Sequence, residues 1–216
     1  MPHLPIELEI RGEIKSQDIP DIILTLKKAG FRFVNETRRT SLMSFGDITS
    51  IPRQGMKTTT TQVDVRCRVT NGKPEVVAKI GLTHVANRTE ITQPVSSKDV
   101  FLFARMFGSM GFFSKVGSKR TKNFKKGDVI ISLVESPSGL AYIEIEKMSD
   151  RTREKKDLKE LTTLAHQIGI RLWNTRKQFL DFCDQLTLRD DWEFHGTDKD
   201  IKRLKQEIKQ TGSGKR

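Results

Sequence analysis

Cysteine is nearly absent: Cys67 and Cys183 are the two in 216 residues. Thiols so few and so far apart exclude a disulfide framework and a cysteine-held metal cluster. They fit a reducing compartment, so a cytoplasmic location is expected. Long apolar runs are missing too. No segment reaches the roughly 20 residues of a membrane helix, and the N-terminus lacks the basic-then-apolar layout of a secretion signal. His3, His84, His166 and His195 show no ligand spacing relative to one another. The terminal GSGKR lacks the flanking strand and helix that would make it a phosphate loop. Aromatics are sparse, with two Trp and one Tyr. Trp173, Phe179 and Phe182 read as helix packing rather than a base-stacking platform. Negative charge is in deficit: 39 Lys and Arg stand against 27 Asp and Glu, a net charge of +12. Such a surplus serves solubility or a polyanionic ligand.

What is present is mostly alternation. PIELEIRGEI sets Ile6, Leu8 and Ile10 on one strand face and Glu7, Glu9 and Arg11 on the other. LAYIEIEKM repeats the device with Glu144 and Glu146. TQVDVRCRV, the turn NGK and PEVVAKIGL form a hairpin pattern, and RTEITQPV is a further short strand. DVIISLVE, the turn SPSG and the second glutamate strand follow one another later in the chain. SQDIPDIILTLKKAGF is a helix pattern capped by Ser16 and closed at Gly30-Phe31. SSKDVFLFARMFGSMGF mirrors it, closing at Gly111-Phe112, which hints at an internal repeat. Residues 31–57 read as a strand over 31–34 followed by loop. From about residue 152 the chain reads as helical, and TGSGKR at its end reads as disordered.

A half-solvated antiparallel sheet accounts for any one charged face. The set is harder to explain that way, because the charges come as ordered pairs: Glu7 with Glu9, Arg66 with Arg68, Arg88 with Glu90, Glu144 with Glu146. Strands closed into a barrel with helices outside would line an interior with carboxylates and cations together. That lining suits a ligand both anionic and metal-bound. Glutamates hold Mg²⁺ or Mn²⁺, and Arg and Lys hold phosphate oxygens.

In this ordered series the chain resembles the CYTH domain of the triphosphate tunnel metalloenzyme superfamily. The resemblance runs through ELEIR, VRCRV, VVAKIG, RTEI, SKRTKNF and IEIE, over roughly residues 5–187. It implies an α+β fold, an antiparallel eight-stranded β-barrel with helices packed outside over residues 1–187. Residues 188–216 would be a polar helical extension with a disordered end. The resemblance further implies metal binding by Glu7, Glu9, Glu144 and Glu146, with Glu90 a further acidic wall residue. Phosphate would be bound by Arg66, Arg68, Lys79 and Arg88, plus Lys119, Arg120 or Lys122, whose register is open. Glu7, Glu9 and Arg11 would carry the chemistry.

Two positions depart from the pattern. Arg11 stands where the family has lysine, a change its RNA 5′-triphosphatases tolerate. SLVES stands where the family has Leu-Asp, so Glu135 either substitutes or one metal contact is missing. The implied activity is Mg²⁺- or Mn²⁺-dependent hydrolysis of an inorganic, nucleoside, thiamine or RNA 5′-triphosphate. Class IV adenylyl cyclase and a non-catalytic binder of polyphosphate, nucleotide or RNA ends are the alternatives. A triphosphate or nucleotide, an RNA 5′ end and a second copy of the chain are the partners to expect, with no membrane.

Overall fold

The computed structural model describes residues 6–47, 62–80, 89–150 and 152–212. Nine strands and five α-helices follow in chain order: β1 (Ile6–Lys15), α1 (Ile19–Lys28), β2 (Arg32–Asp47), β3 (Gln62–Thr70), β4 (Lys73–Ile80), β5 (Thr89–Pro94), α2 (Asp99–Ser109), β6 (Phe113–Lys126), β7 (Val129–Glu135), β8 (Leu140–Ser149), α3 (Glu154–Gln167), α4 (Arg176–Arg189), β9 (Trp192–Glu193) and α5 (Asp198–Gly212). The expected antiparallel eight-strand sheet is present, in the order β1-β8-β7-β6-β2-β3-β4-β5, with β9 added beside β6. Among the described residues this path ends at β1 and β5, so pairing leaves the sheet open rather than closed into the expected barrel. Among the described residues, those within 1–37 and 119–189 form one compact unit, and those within 38–118 and 190–216 form a second.

In the first unit β1 and β8, distant in sequence, lie side by side. Glu9 stands opposite Glu146 and Arg11 opposite Glu144. The apolar alternates Ile6, Leu8, Ile14, Ile143 and Ile145 turn to the other face. There α1 supplies Ile19 and Leu26, and α3 supplies Leu161 and Ala165 to one core. Burial of these side chains is the main stabilising term, about 1.5–3 kcal/mol for each large one. The free edge of β1 is covered by the chain after α3: Trp173 N–H donates to Arg11 O at 2.9 Å, and Gly12 bridges Leu172. Gly12 is needed there, because a Cβ would stand 2.3 Å from Arg171 O. An edge protected in this way cannot recruit another strand.

In the second unit Leu42, Cys67 and Val69 pack against Val100 and Ala104 of α2 and Ile201 and Leu204 of α5. The C-terminal helix, expected as a polar extension, therefore completes a core through one apolar stripe. Neither Cys67 nor Cys183 forms a disulfide among the described residues.

Two local expectations change. Ser16 does not cap α1; it sits in a 3₁₀ turn and donates to Gly139 O at 2.6 Å. Ser96, by contrast, does cap α2, accepting Asp99 N–H at 3.1 Å. The expected loop after residue 34 is strand as far as Asp47. The alternation was hidden because small polar residues fill its buried positions in pairs: Thr40 with Ser118 at 2.9 Å, and Ser44 with Ser114 at 2.8 Å. Residues 48–57 of that expected loop, and 213–216 of the expected disordered end, lie outside the described residues.

Candidate metal centre

Strand alternation and the β1–β8 register gather the carboxylates on the face opposite the first core. Glu9, Glu144 and Glu146 each offer an oxygen within 4.8 Å of the others. Their donor set, all hard oxygens on adjacent strands, fits Mg²⁺ or Mn²⁺. The side chains of Glu9 and Glu144 keep 17 and 16% of their surface exposed, which leaves a path for an ion. Glu7 stands opposite Met148 in the register; its side chain lies outside the described residues.

Arg11 bridges two of the three carboxylates. Its Nε donates to Glu144 Oε1 at 3.1 Å, and its Nη2 donates to Glu9 Oε2. Burial alone would lower the Arg11 pKa, but the charges of Glu144 and Glu9 outweigh it and move it upward, so the guanidinium is permanently charged. Burial, reinforced by the charges of Glu144 and Glu146, pushes the Glu9 carboxyl up to about 8 against the pull of Arg11. Glu144 is held low instead: burial would raise it, and the charges of Lys119 and Arg11, together with hydrogen bonds from Glu9 and Arg11, outweigh that cost. The two carboxyls titrate as a coupled pair, in which burial and like charge push Glu9 toward the protonated form while Glu144 is held toward the ionised one.

Lys119 settles the open register of its strand. Its Nζ donates to Tyr142 Oη at 3.0 Å, on the carboxylate face. Alternation sends Arg120 and Lys122 to the opposite face, where Phe124 enters the core. Arg120 Nη2 pairs with Glu135 at 2.6 Å there. Arg120, Lys122 and Glu135 are thus placed away from the carboxylates, and Glu135 supplies no contact to them.

The second unit gathers the other predicted cations on the face opposite its own core. Arg66 makes a two-pronged pair with Asp64, at 2.8 and 2.9 Å. Arg68 Nη2 donates to Glu90 at 2.6 Å, while its Nε lies 2.9 Å from Glu75 without hydrogen-bond alignment. Lys79 Nζ meets Glu90 at 2.6 Å. Glu90 therefore sits among cations. Burial would raise its carboxyl, but the hydrogen bonds and charges of Lys79 and Arg68 bring it down to about 2. Arg88 lies outside the described residues.

Three residues of these clusters were not singled out from sequence: Tyr142, Asp64 and Glu75. Tyr142 and Asp64 were accessible to the same reasoning. Tyr142 stands two places before Glu144, and Asp64 two before Arg66, so each shares its neighbour's strand face. The aromatic residues expected as helix packing gather around Tyr142. Its ring stacks on Trp173 at 6.2 Å and meets Phe182 edge-on at 5.5 Å, and Arg11 lies over Phe179 at 5.3 Å. So α4 packs on the carboxylate face, while α1 and α3 take the apolar one.

Among the described residues no helix is long and apolar enough to cross a membrane. No family model matches the chain, and no curated protein matches it. Solved structures do. A protein from Pyrococcus horikoshii OT3 superposes with a TM-score of 0.59 at 18% identity, over 78% of this chain and 95% of its own. A conserved hypothetical protein from Pyrococcus furiosus gives 0.56 at 21% identity, over 76 and 91%. An inferred adenylate cyclase from Vibrio parahaemolyticus gives 0.58 at 18% identity, over 82 and 98%. At such identities the likeness shows a shared fold, matched over nearly the full length of each neighbour.

Proposed function

We propose that this chain is a CYTH-type metal-dependent enzyme that acts on a triphosphate and hydrolyses its terminal phosphoanhydride. The observation that carries the reading is the convergence of Glu9, Glu144 and Glu146, with Arg11 and Lys119 interleaved among them. A hard divalent ion held by these three oxygens would polarise a phosphoryl group and offset charge developing on it. Arg11 orients the carboxylates and keeps a fixed positive charge beside them. Lys119 supplies a second cation, suited to a phosphate oxygen. Within the second unit, Arg66, Arg68 and Lys79 are proposed as phosphate-binding cations, which requires phosphate to compete with Asp64, Glu75 and Glu90 for them.

Cyclisation of ATP is the second reading, favoured by the description of the Vibrio neighbour. It needs a group that takes the proton of the ribose 3′-hydroxyl as that oxygen attacks the α-phosphate. Arg11 cannot do this, since it is charged at any accessible pH. Hydrolysis asks of that position only fixed charge, and so hydrolysis is preferred. Incubation with ATP or tripolyphosphate and Mg²⁺ or Mn²⁺, followed by chromatography, is expected to yield orthophosphate. Cyclic AMP and pyrophosphate as main products would replace the hydrolase with the cyclase. No metal-dependent product from any triphosphate would leave the non-catalytic binder.

A further inference from the structure

We infer that Tyr142 is a positioning residue, which holds the Lys119 ammonium beside Glu144 so that it meets the phosphate chain in one fixed place. The inference rests on the triphosphate reading above and assigns a role that none of the motif residues fills. Lys119 lies on β6 and Tyr142 on β8, with β7 between them. Two strand spacings amount to roughly 10 Å, so the lysine and tyrosine side chains meet above β7, each covering part of the reach. A free lysine side chain would sample many rotamers, at a cost of about 2 kcal/mol when it is finally ordered.

Tyr142 holds the end of that reach through its hydroxyl, which accepts a hydrogen bond from Nζ at 3.0 Å; the ammonium lies beyond that oxygen, 5.6 Å from the ring centroid. The ring is itself immobilised. Trp173 stacks on it, Phe182 meets its edge, and Phe182 is 2% exposed. This gives the aromatic cluster of α4 a purpose beyond packing: it fixes the ring that fixes the lysine. Glu144 is two residues from Tyr142 on the same face, and the charge of Lys119 reaches it. The ammonium is thereby held on the carboxylate face.

The test is a double-mutant cycle read by calorimetric binding of tripolyphosphate in the presence of Mn²⁺. Tyr142→Phe keeps the ring and its stacking and removes the hydroxyl acceptor. It is expected to weaken tripolyphosphate binding about tenfold and to leave orthophosphate binding within about twofold. In a Lys119→Met background the same change should cost less than about twofold, because there is no ammonium left to place. Phe182→Leu, which loosens the ring from behind, should give a smaller loss that also vanishes without Lys119. Equal losses from Tyr142→Phe with and without Lys119 would overturn the inference, as would no loss in the parent protein. If Lys119→Met alone leaves tripolyphosphate binding unchanged, the assignment of Lys119 to phosphate fails, and the positioning role fails with it. A parent protein that binds no tripolyphosphate would contradict the functional reading itself.

Discussion

Glu144→Gln and Glu146→Gln are each expected to lower metal-dependent turnover by more than about 100-fold, and Glu9→Gln to do the same. Removing even an outer partner of a metal ligand commonly costs about 10–100-fold, so loss of a direct oxygen ligand should exceed that. Stability should separate the variants. Burial pushes the Glu9 carboxyl toward its protonated form, and glutamine has nearly the shape of a protonated carboxyl. Glu9→Gln should therefore fold as well as the parent while failing to bind metal. Glu144 is ionised and receives the Arg11 hydrogen bond at 3.1 Å, with the Lys119 charge also nearby. Neutralising it strands those cations, at a cost on the order of 2 kcal/mol, since Arg11 keeps its bond to Glu9. Thermal unfolding with and without Mn²⁺ distinguishes the two cases. Equal turnover in a Glu9/Glu144 double variant would return these carboxylates to an ordinary solvated strand face.

Metal affinity should rise steeply with pH. Its sign follows from Glu9, whose pKa is moved from 4.5 to about 8 in the folded protein. Between those values the metal-free folded state holds a proton that the unfolded chain has lost, so metal-free stability falls as pH rises through that window. A divalent ion needs the carboxylate and must expel the same proton. One proton released per ion means about a tenfold gain in affinity per pH unit well below the Glu9 pKa, or roughly 50-fold from about pH 6 to about pH 8, levelling above that. Glu144 contributes no slope there, because it is already ionised. Mn²⁺ titration at several pH values, in buffers of different ionisation enthalpy, measures both the slope and the proton released. Glu9→Gln should abolish the slope. An affinity flat across this range would mean that Glu9 is ionised in the metal-free protein.

Much of the site was legible because β-strand alternation is a two-residue rule that survives without tertiary information. Glu9, Glu144 and Glu146 could be read onto strand faces from ELEIR and IEIE alone, and the structure brings those two faces together. Lys119 could not be told from Arg120 and Lys122, since SKRTKNFKK carries cations on both faces and little apolar pattern to phase them. Only Phe124, buried in the core, fixes which face is which. The second half of β2 was missed for a related reason: its buried side is partly hydroxyls that satisfy one another across strands, so no hydrophobic period survives in the sequence. The position of α4 was also invisible. Periodicity identifies a helix with an aromatic face, but not whether Tyr142 and Arg11 or an aliphatic sheet will receive it. Open pairing at β1 and β5 likewise depends on register and twist, which no local pattern specifies.

The central claim is that three glutamates from two distant segments hold a divalent ion. Anomalous diffraction from crystals soaked in Mn²⁺ and tripolyphosphate at about pH 8 addresses it directly. The account predicts one strong peak within coordination distance, about 2.0–2.3 Å, of oxygens from Glu9, Glu144 and Glu146. It also predicts that the peak is lost in Glu9→Gln crystals of unchanged fold. Peaks elsewhere, with the Arg11 bridge to Glu9 and Glu144 intact and no ion beside them, would contradict it.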